Sequence, residues 1–352
     1  MRKMILAIGL AGMLGWTSAG MGEDLVPVRD DPNEPVQMIF DTDMGNDVDD
    51  ALALAIIHAM IDRGKCDLLG ITLTKSNLNA ARYCKAFNMA YGRPDIPIGL
   101  VANGPEPDDG RYVANVLNVK KEDGTSAFPY PADFVPEDSV VLLRKLLAAA
   151  KDNSVVIVQV GFSTNLARLL DTPGDAISPL TGRELAAKKV RLVSAMAGAF
   201  TFPNDRFKNH REYNIIKDIP AAQKFFAQWP TEILVSGFEV GFEVLMRPCS
   251  MQNDYNKAPY NIVKESYRFY RDGLDKTQMT WDLTSVLFVV RPEAERNYYT
   301  VSEFGNVTVL DDGQTRFTAD AKGKVRCVKM TPEQHIRVEE AFVNLCSEAE
   351  HQ

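Results

Sequence analysis

The chain has 352 residues, 45% apolar and 24% charged, with a formal net charge of −8. That is the balance of an ordinary globular protein, long enough for one large α/β domain or two small ones. The negative charge excludes non-specific nucleic-acid binding, which needs a basic face. Beyond the first residues, no run of 18 uninterrupted apolar residues offers a membrane span.

The N-terminus reads as a secretory signal. Arg2 and Lys3 are followed by an apolar, Gly/Ala-rich run over residues 4–16 and then by the small residues Thr17, Ser18 and Ala19. Residues 1–22 are assigned to the signal and 23–352 to a single domain, exported to the periplasm or the outside. The five cysteines, Cys66, Cys84, Cys249, Cys327 and Cys346, form no CxxC pair. They do not resemble zinc ligands or a redox motif. The count leaves at least one unpaired, and each is read first as a small buried apolar residue.

After a proline-containing lead-in, residues 36–40 form an apolar strand. Then come five aspartates within ten residues (Asp41, Asp43, Asp47, Asp49, Asp50) and a helix over 51–63 that is apolar almost all round. A strand over 67–74, a helix over 79–91 and a short strand over 96–101 follow. Residues 103–136 are polar and Gly/Pro-rich, a surface loop or a lid. A helix over 137–151 precedes the continuous apolar strand 154–160, the pattern of a strand covered on both faces. Further strands are expected over 189–196 and 232–236, and helices over 219–229, 259–271 and 282–290. From Tyr298 short alternating strands run through a turn at Asp311-Asp312-Gly313 to a last helix over 331–348. This alternation predicts an α/β fold with a mostly parallel, mixed central sheet flanked by helices.

Like charges as close as those of the acidic turn repel unless they share a cation or keep protons. Three explanations compete. An EF-hand loop counted from Asp41 lacks its glycine (Asn46) and its bidentate Glu (Leu52), and a strand precedes it. A haloacid-dehalogenase-type phosphatase would use Asp41 as nucleophile with Mg²⁺, but leaves Asp49 and Asp50 unexplained. The third explanation accounts for more of the chain. Asp41-x-Asp43-x-Gly45, then Asp49-Asp50-Ala51-x-Ala53, resembles the inosine-uridine preferring nucleoside hydrolase family. In the same order, Gly70 to Asn77 resembles the family's second strand ending in Asn, and Gly161-x-x-Thr164-Asn165-x-Ala167 its next turn. Glu212-Tyr213-Asn214 resembles its Glu-Phe-Asn segment, and Trp281-Asp282 stands where a His-Asp pair opens a helix. The chain departs from the pattern twice. Three residues separate Gly45 from Asp49, two more than usual, and Trp281 replaces the histidine.

The resemblance implies hydrolysis of the N-glycosidic bond of ribonucleosides through an oxocarbenium-like ribosyl centre. It implies Ca²⁺, which accepts many oxygen ligands. The metal ligands would be Asp43, Asp50, the Val160 carbonyl and Asp282, with Asp43 also the general base. Asp49, Asn77, Met196, Glu212 and Asn214 would bind the ribose. Trp281 would stack on a base or simply pack. Asp41 and Asp47 would order the turn. Asn204 and Asn209 both lie where the family places another ribose contact. His210 is read as a solvated loop residue rather than the acid. The partner would be a nucleoside and not a nucleic acid or membrane, and the assembly a homodimer or homotetramer. A non-catalytic, Ca²⁺-dependent nucleoside- or sugar-binding protein is the remaining alternative.

Overall fold

The computed structural model describes residues 28–31, 33–200, 205–291 and 295–348. The signal and Asn204 lie outside the described residues. β1 (Val36–Thr42) leads into α1 (Asp49–Asp62), and β2 (Cys66–Leu73) into α2 (Leu78–Ala90). β3 (Ile98–Leu100) leads into the polar stretch, which holds the short α3 (Val113–Leu117). Next come β4 (Glu137–Asp138), α4 (Ser139–Ala149), β5 (Val155–Gln159), α5 (Thr164–Leu169), α6 (Gly182–Lys189) and β6 (Val190–Met196). α7 (Tyr213–Ile216), α8 (Ile219–Gln228), β7 (Glu232–Ser236), α9 (Phe238–Phe242), β8 (Leu245–Met246) and α10 (Pro248–Asn253) follow. Then come α11 (Ile262–Arg271), β9 (Gln278–Met279), α12 (Asp282–Val290) and α13 (Glu295–Tyr298). The chain closes with β10 (Thr300–Val301), β11 (Gly305–Val309), β12 (Thr315–Ala319), β13 (Val325–Lys329) and α14 (Pro332–Cys346).

Eleven strands form one mixed sheet in the order β12-β11-β13-β7-β6-β5-β1-β2-β3-β4, with β10 paired to β13. From β4 to β7 every neighbour is parallel; only β10, β11 and β12 introduce antiparallel pairs. The chain steps outward from β1 through β2, β3 and β4, then returns to place β5 on the other side of β1. That reversal opens a crevice at the C-terminal ends of β1 and β5, where open α/β sheets hold their ligands.

Alternation along the strands divides the core. Val36, Met38 and Phe40 of β1 join the apolar layer formed with α1, α2, α11, α12 and α14. Ile39 points the other way, into the layer formed with α4, α5, α6 and α8. α1 packs against α12 and α14. Its residues Asp49 to Met60 are all buried, as its nearly all-apolar sequence requires. No described helix is long and apolar enough to cross a membrane.

Several boundaries differ from expectation for local reasons. The helix expected over 137–151 starts only at Ser139. Glu137 and Asp138 pair with β3 instead, and Asp138 Oδ1 accepts from the Val140 and Val141 amides at 2.9 and 3.0 Å. The helix expected from residue 259 starts at Ile262, where Asn261 Oδ1 caps the Lys264 amide at 2.8 Å. α6, opened by a Thr181–Glu184 capping box, was not anticipated, because its exposed face obscures the apolar period. All five cysteines are free, and all but Cys249 are buried.

Candidate active site

Four carboxylates converge where β1 ends. Asp47, Asp49, Asp50 and Asp282 each offer an oxygen, and these oxygens all lie within 4.8 Å of one another. The first three come from the acidic turn and the start of α1, the fourth from the start of α12. Burial holds the Asp50 and Asp282 carboxyls well above the usual range, and neighbouring aspartates push them further. Buried like charges at this spacing form a hard, oxygen-rich donor set that lacks only a counter-charge. One oxygen, Asp49 Oδ1, is buried without any partner. The residues present therefore fit a divalent cation.

Asp43, expected among the ligands, is 4% exposed and lines the cavity beside this group, but is not one of the four. Its Oδ2 accepts from Asn46 Nδ2 at 2.6 Å. Burial pushes its carboxyl up to about 7, against the lowering effect of Asn46 and Lys75. Asp47, expected only to order the turn, stands in the four-carboxylate group; the lengthened turn carries it there. Asp49 Oδ2 accepts from the Trp281 and Asp282 amides at 2.8 and 3.1 Å, so it caps α12 from outside that helix. Asp50 Oδ1 accepts from the Thr42 hydroxyl.

The cavity above the carboxylates has a volume of about 470 Å³. Val160, Met196, Glu212, Asn214, Trp281 and Asp282 all line it. Asn214 Nδ2 ties the sheet ends together, donating to the Val160 carbonyl at 2.8 Å and the Met196 carbonyl at 3.1 Å. Glu212 caps α7, accepting from the Asn214, Gly198 and Ile215 amides at 2.7, 3.0 and 3.1 Å. Burial raises its carboxyl to about 7. Asn77 does not line the cavity. Its Oδ1 caps α2 at the Ala80 amide, and its Nδ2 donates to the Pro107 carbonyl and Asp109 Oδ1 at 2.7 and 2.9 Å. It anchors the loop that follows β3. Asn209 is exposed. His210 is half-buried rather than solvated, its ring 3.9 Å from that of Phe238, and it does not line the cavity.

Asp41 cannot serve as a phosphatase nucleophile. It is fully buried beneath the cavity, and its Oδ1 accepts from Thr72 Oγ1 at 2.6 Å and Asn165 Nδ2 at 2.8 Å. The EF-hand reading fails as well, because α1 begins inside the would-be loop.

The polar stretch after β3 folds over the acidic turn and brings residues that no motif marked. Gly45 and Gly110 take φ of +114° and +70°, and a Cβ on Gly110 would lie 1.9 Å from the Gly45 carbonyl oxygen. The two backbones meet at a distance only glycine permits. This docking sets Glu106 against the site. Its Oε2 accepts from Asn46 Nδ2 at 2.7 Å, and its Oε1 from the Tyr213 hydroxyl at 2.6 Å and from Lys217. Burial alone would raise its carboxyl, but Lys217 and Tyr213 outweigh that and hold it low. Lys75, 1% exposed, donates to Asn46 Oδ1 at 2.5 Å. Asn46 is thus a hub between a cation and two carboxylates. Trp281 stacks on Phe238 with ring centres 5.4 Å apart, its indole N–H donating to the Phe238 carbonyl at 3.0 Å. Across the cavity, Arg111 lies 5.5 Å above the Tyr270 ring.

A cation-ready carboxylate group at a strand-order reversal, roofed by a polar loop and walled by aromatics, defines a small-molecule hydrolase site on an α/β sheet. The sequence model of the inosine-uridine preferring nucleoside hydrolases matches residues 38–341. The chain belongs to that family and is an N-glycosidase that hydrolyses nucleosides. Comparison with curated protein sequences gives no match. Solved structures share the fold. A plant nucleoside hydrolase is 21% identical with a TM-score of 0.65, over 89% of this chain and 99% of its own. A purine-preferring ribonucleoside hydrolase from Gardnerella vaginalis is 18% identical with a TM-score of 0.65, over 88% and 98%. An inosine-uridine preferring nucleoside hydrolase from Bacillus anthracis is 18% identical with a TM-score of 0.64, over 89% and 99%.

Proposed function

We propose that the protein is a Ca²⁺-dependent ribonucleoside hydrolase that releases ribose and a free base, with Asp43 as general base. The observation that carries this reading is the convergence of Asp47, Asp49, Asp50 and Asp282 within 4.8 Å beside Asp43. Asp50 and Asp282 are common to the expected ligand set and the observed group; Asp47 and Asp49 complete it, and Val160 lines the same cavity. Four converging carboxylates suit Ca²⁺ better than Mg²⁺, which keeps its waters. When bound, the cation supplies a charged anchor for the ribose hydroxyls and for the attacking water.

The chain's own residues do the rest. Asp43, fixed by Asn46, takes the water proton as the oxygen joins the anomeric carbon. Asp43 faces the cavity with its Oδ2 held by the Asn46 amide, which keeps the carboxylate oriented toward the bound water. Glu212 and Asn214, rigid at the head of α7, present polar atoms to the sugar, and Met196 gives it an apolar floor. The test is ribose release from inosine, uridine, adenosine and guanosine, with and without chelator. Chelator-sensitive release supports the proposal. Ca²⁺ binding without release from any of them favours a nucleoside-binding protein on this scaffold. Export is part of the same proposal, and the intact mass of the secreted protein checks cleavage within residues 19–22. Light scattering tests the proposed homodimer or homotetramer.

A further inference from the structure

This inference rests on the hydrolase reading and on Glu212 as a ribose contact. The Glu212 carboxylate accepts from three amides. Two of them, Asn214 and Ile215, belong to the start of its own helix. The third, Gly198, lies just beyond the end of β6 and donates to Oε2 at 3.0 Å. The place of the Gly198 amide therefore sets how Oε2 is turned at the cavity. The sheet does not fix that place, because β6 pairs with β7 only as far as Met196 and Ser236.

Side chains hold the turn instead. The Thr315 hydroxyl, at the head of β12, donates to the Ala199 carbonyl and accepts from the Ala199 amide, both at 2.9 Å. Glu239 Oε2, on α9, accepts from the Phe200 amide at 3.0 Å. Three successive amides, those of Gly198, Ala199 and Phe200, thus go to side chains of three different elements. Gly198 takes φ of +74°, and a Cβ there would lie 2.9 Å from Thr315 Oγ1. The hydroxyl therefore packs directly on the residue that presents its amide to Glu212. Thr315 is 6% exposed, although Arg316, Thr318 and Ala319 further along β12 face solvent. The tip of the same β11–β12 hairpin also touches both flanks of Glu212. Arg211 donates to the Asp312 carbonyl at 2.8 Å and to Asp312 Oδ2 at 2.9 Å. On the other flank Gly313 sits so close that a Cβ would lie 2.7 Å from Ile216 Cγ2.

We propose that Thr315 is a positioning residue for ribose recognition, acting through the Gly198 amide on the Glu212 carboxylate. β12 is an edge strand, with β11, β13 and β7 between it and β6, and Thr315 lies outside every segment that carries the family resemblance. Loss of the hydroxyl leaves the buried Ala199 amide and carbonyl without this partner, and the turn shifts to find others. A small shift there misaims Oε2, and misplacement that begins far from the reacting atoms still costs rate. The hairpin at the edge of the sheet thereby completes the sugar half of the site.

The experiment measures ribose release at saturating Ca²⁺ from whichever nucleoside the parent cleaves fastest. Thr315→Val and Thr315→Ala are assayed alone and in a Glu212→Ala background. Both lose the hydroxyl, one nearly keeping the volume and one not, so either that folds carries the test. As single variants they should lower kcat/KM about tenfold, with Ca²⁺ affinity by calorimetry within about twofold of the parent. Thr315→Ser keeps the hydroxyl and should stay within about twofold of the parent. In the Glu212→Ala background the same replacements should cost less than about twofold more, because members of one chain of contacts do not add. A role confined to folding would instead give additive losses. Equal losses in both backgrounds, no loss in the single variants, or a Ser variant as poor as the Val variant overturns this inference and leaves the hydrolase reading standing. A Glu212→Ala chain as active as the parent overturns Glu212 as a ribose contact, and this inference with it. No release by the parent overturns both readings.

Discussion

Glu239 provides a sharp test, because its environment fixes both sign and size. It is 7% exposed at the start of α9; Oε2 accepts from the Phe200 amide at 3.0 Å, and Oε1 has no partner. Burial raises its carboxyl from 4.5 to about 7. Between those values the folded chain holds a proton that the unfolded chain releases, so stability falls as pH rises through the window. At about 1.36 kcal/mol per pKa unit, the loss by pH 8 reaches about 3 kcal/mol. Glu239→Gln keeps an acceptor for the Phe200 amide and removes the charge. The variant should therefore gain on the parent by about 3 kcal/mol between pH 4 and pH 8. Urea unfolding by tryptophan fluorescence in chelator across that range measures it, and a constant packing offset cancels from the pH-dependent part. Parallel stability profiles would refute the reasoning.

Other consequences follow from the same geometry. Asn46→Ala releases Asp43, Glu106 and Lys75 together, and kcat should fall about 10- to 100-fold while Ca²⁺ affinity measured by calorimetry changes far less. Ca²⁺ should raise the melting temperature, with about 2.7 kcal/mol gained at a hundredfold excess over Kd; Asp282→Asn should abolish most of that shift. Arg144, 2% exposed, makes a two-pronged bond to Asp175 at 2.8 and 3.0 Å and holds that carboxyl down at about 2. Its stabilisation is complete above the ordinary carboxylate range and lost as pH falls toward 2. The deficit of Asp175→Asn in thermal melts should accordingly be present at pH 7 and vanish in strong acid.

The parts of the site that lie in contiguous sequence are legible in it. An apolar strand running into clustered aspartates and then an apolar helix has few structural solutions, and β1, its turn and α1 are one of them. Asp282 is readable only through the resemblance, which sets Trp281-Asp282 where a His-Asp pair opens a helix; the local pattern alone reads equally as a helix cap. Glu106, Arg111 and Tyr270 carry no such signal, and Lys75 lies in a matched segment that assigned it no role. Lys75 reaches the site through the pairing of β2 with β1, while Glu106, Arg111 and Tyr270 are brought there by the docking of Gly110 on Gly45 and the packing of α11. Asp47, expected to order the turn, stands in the four-carboxylate group, because the turn is two residues longer than usual and spacing alone does not say which way a longer turn bends. Asn77 is expected at the ribose by resemblance, with capping as its other reading, and its contacts are those of a helix cap and a loop anchor.

Asp49 offers an oxygen to the carboxylate group and holds its Oδ2 against the first amides of α12. It therefore belongs at once to the cation site and to the joint between two helices. Both α1 and α12 aim their amino ends, with their partial positive charge, at the same cluster of negative side chains. Part of the repulsion is thus met by backbone alone, so the pocket can be shaped before any ion arrives. The cost falls on interpretation. Replacing Asp49 unseats a helix as well as a ligand, and the resulting loss of turnover will not separate chemistry from architecture unless helix docking is measured alongside.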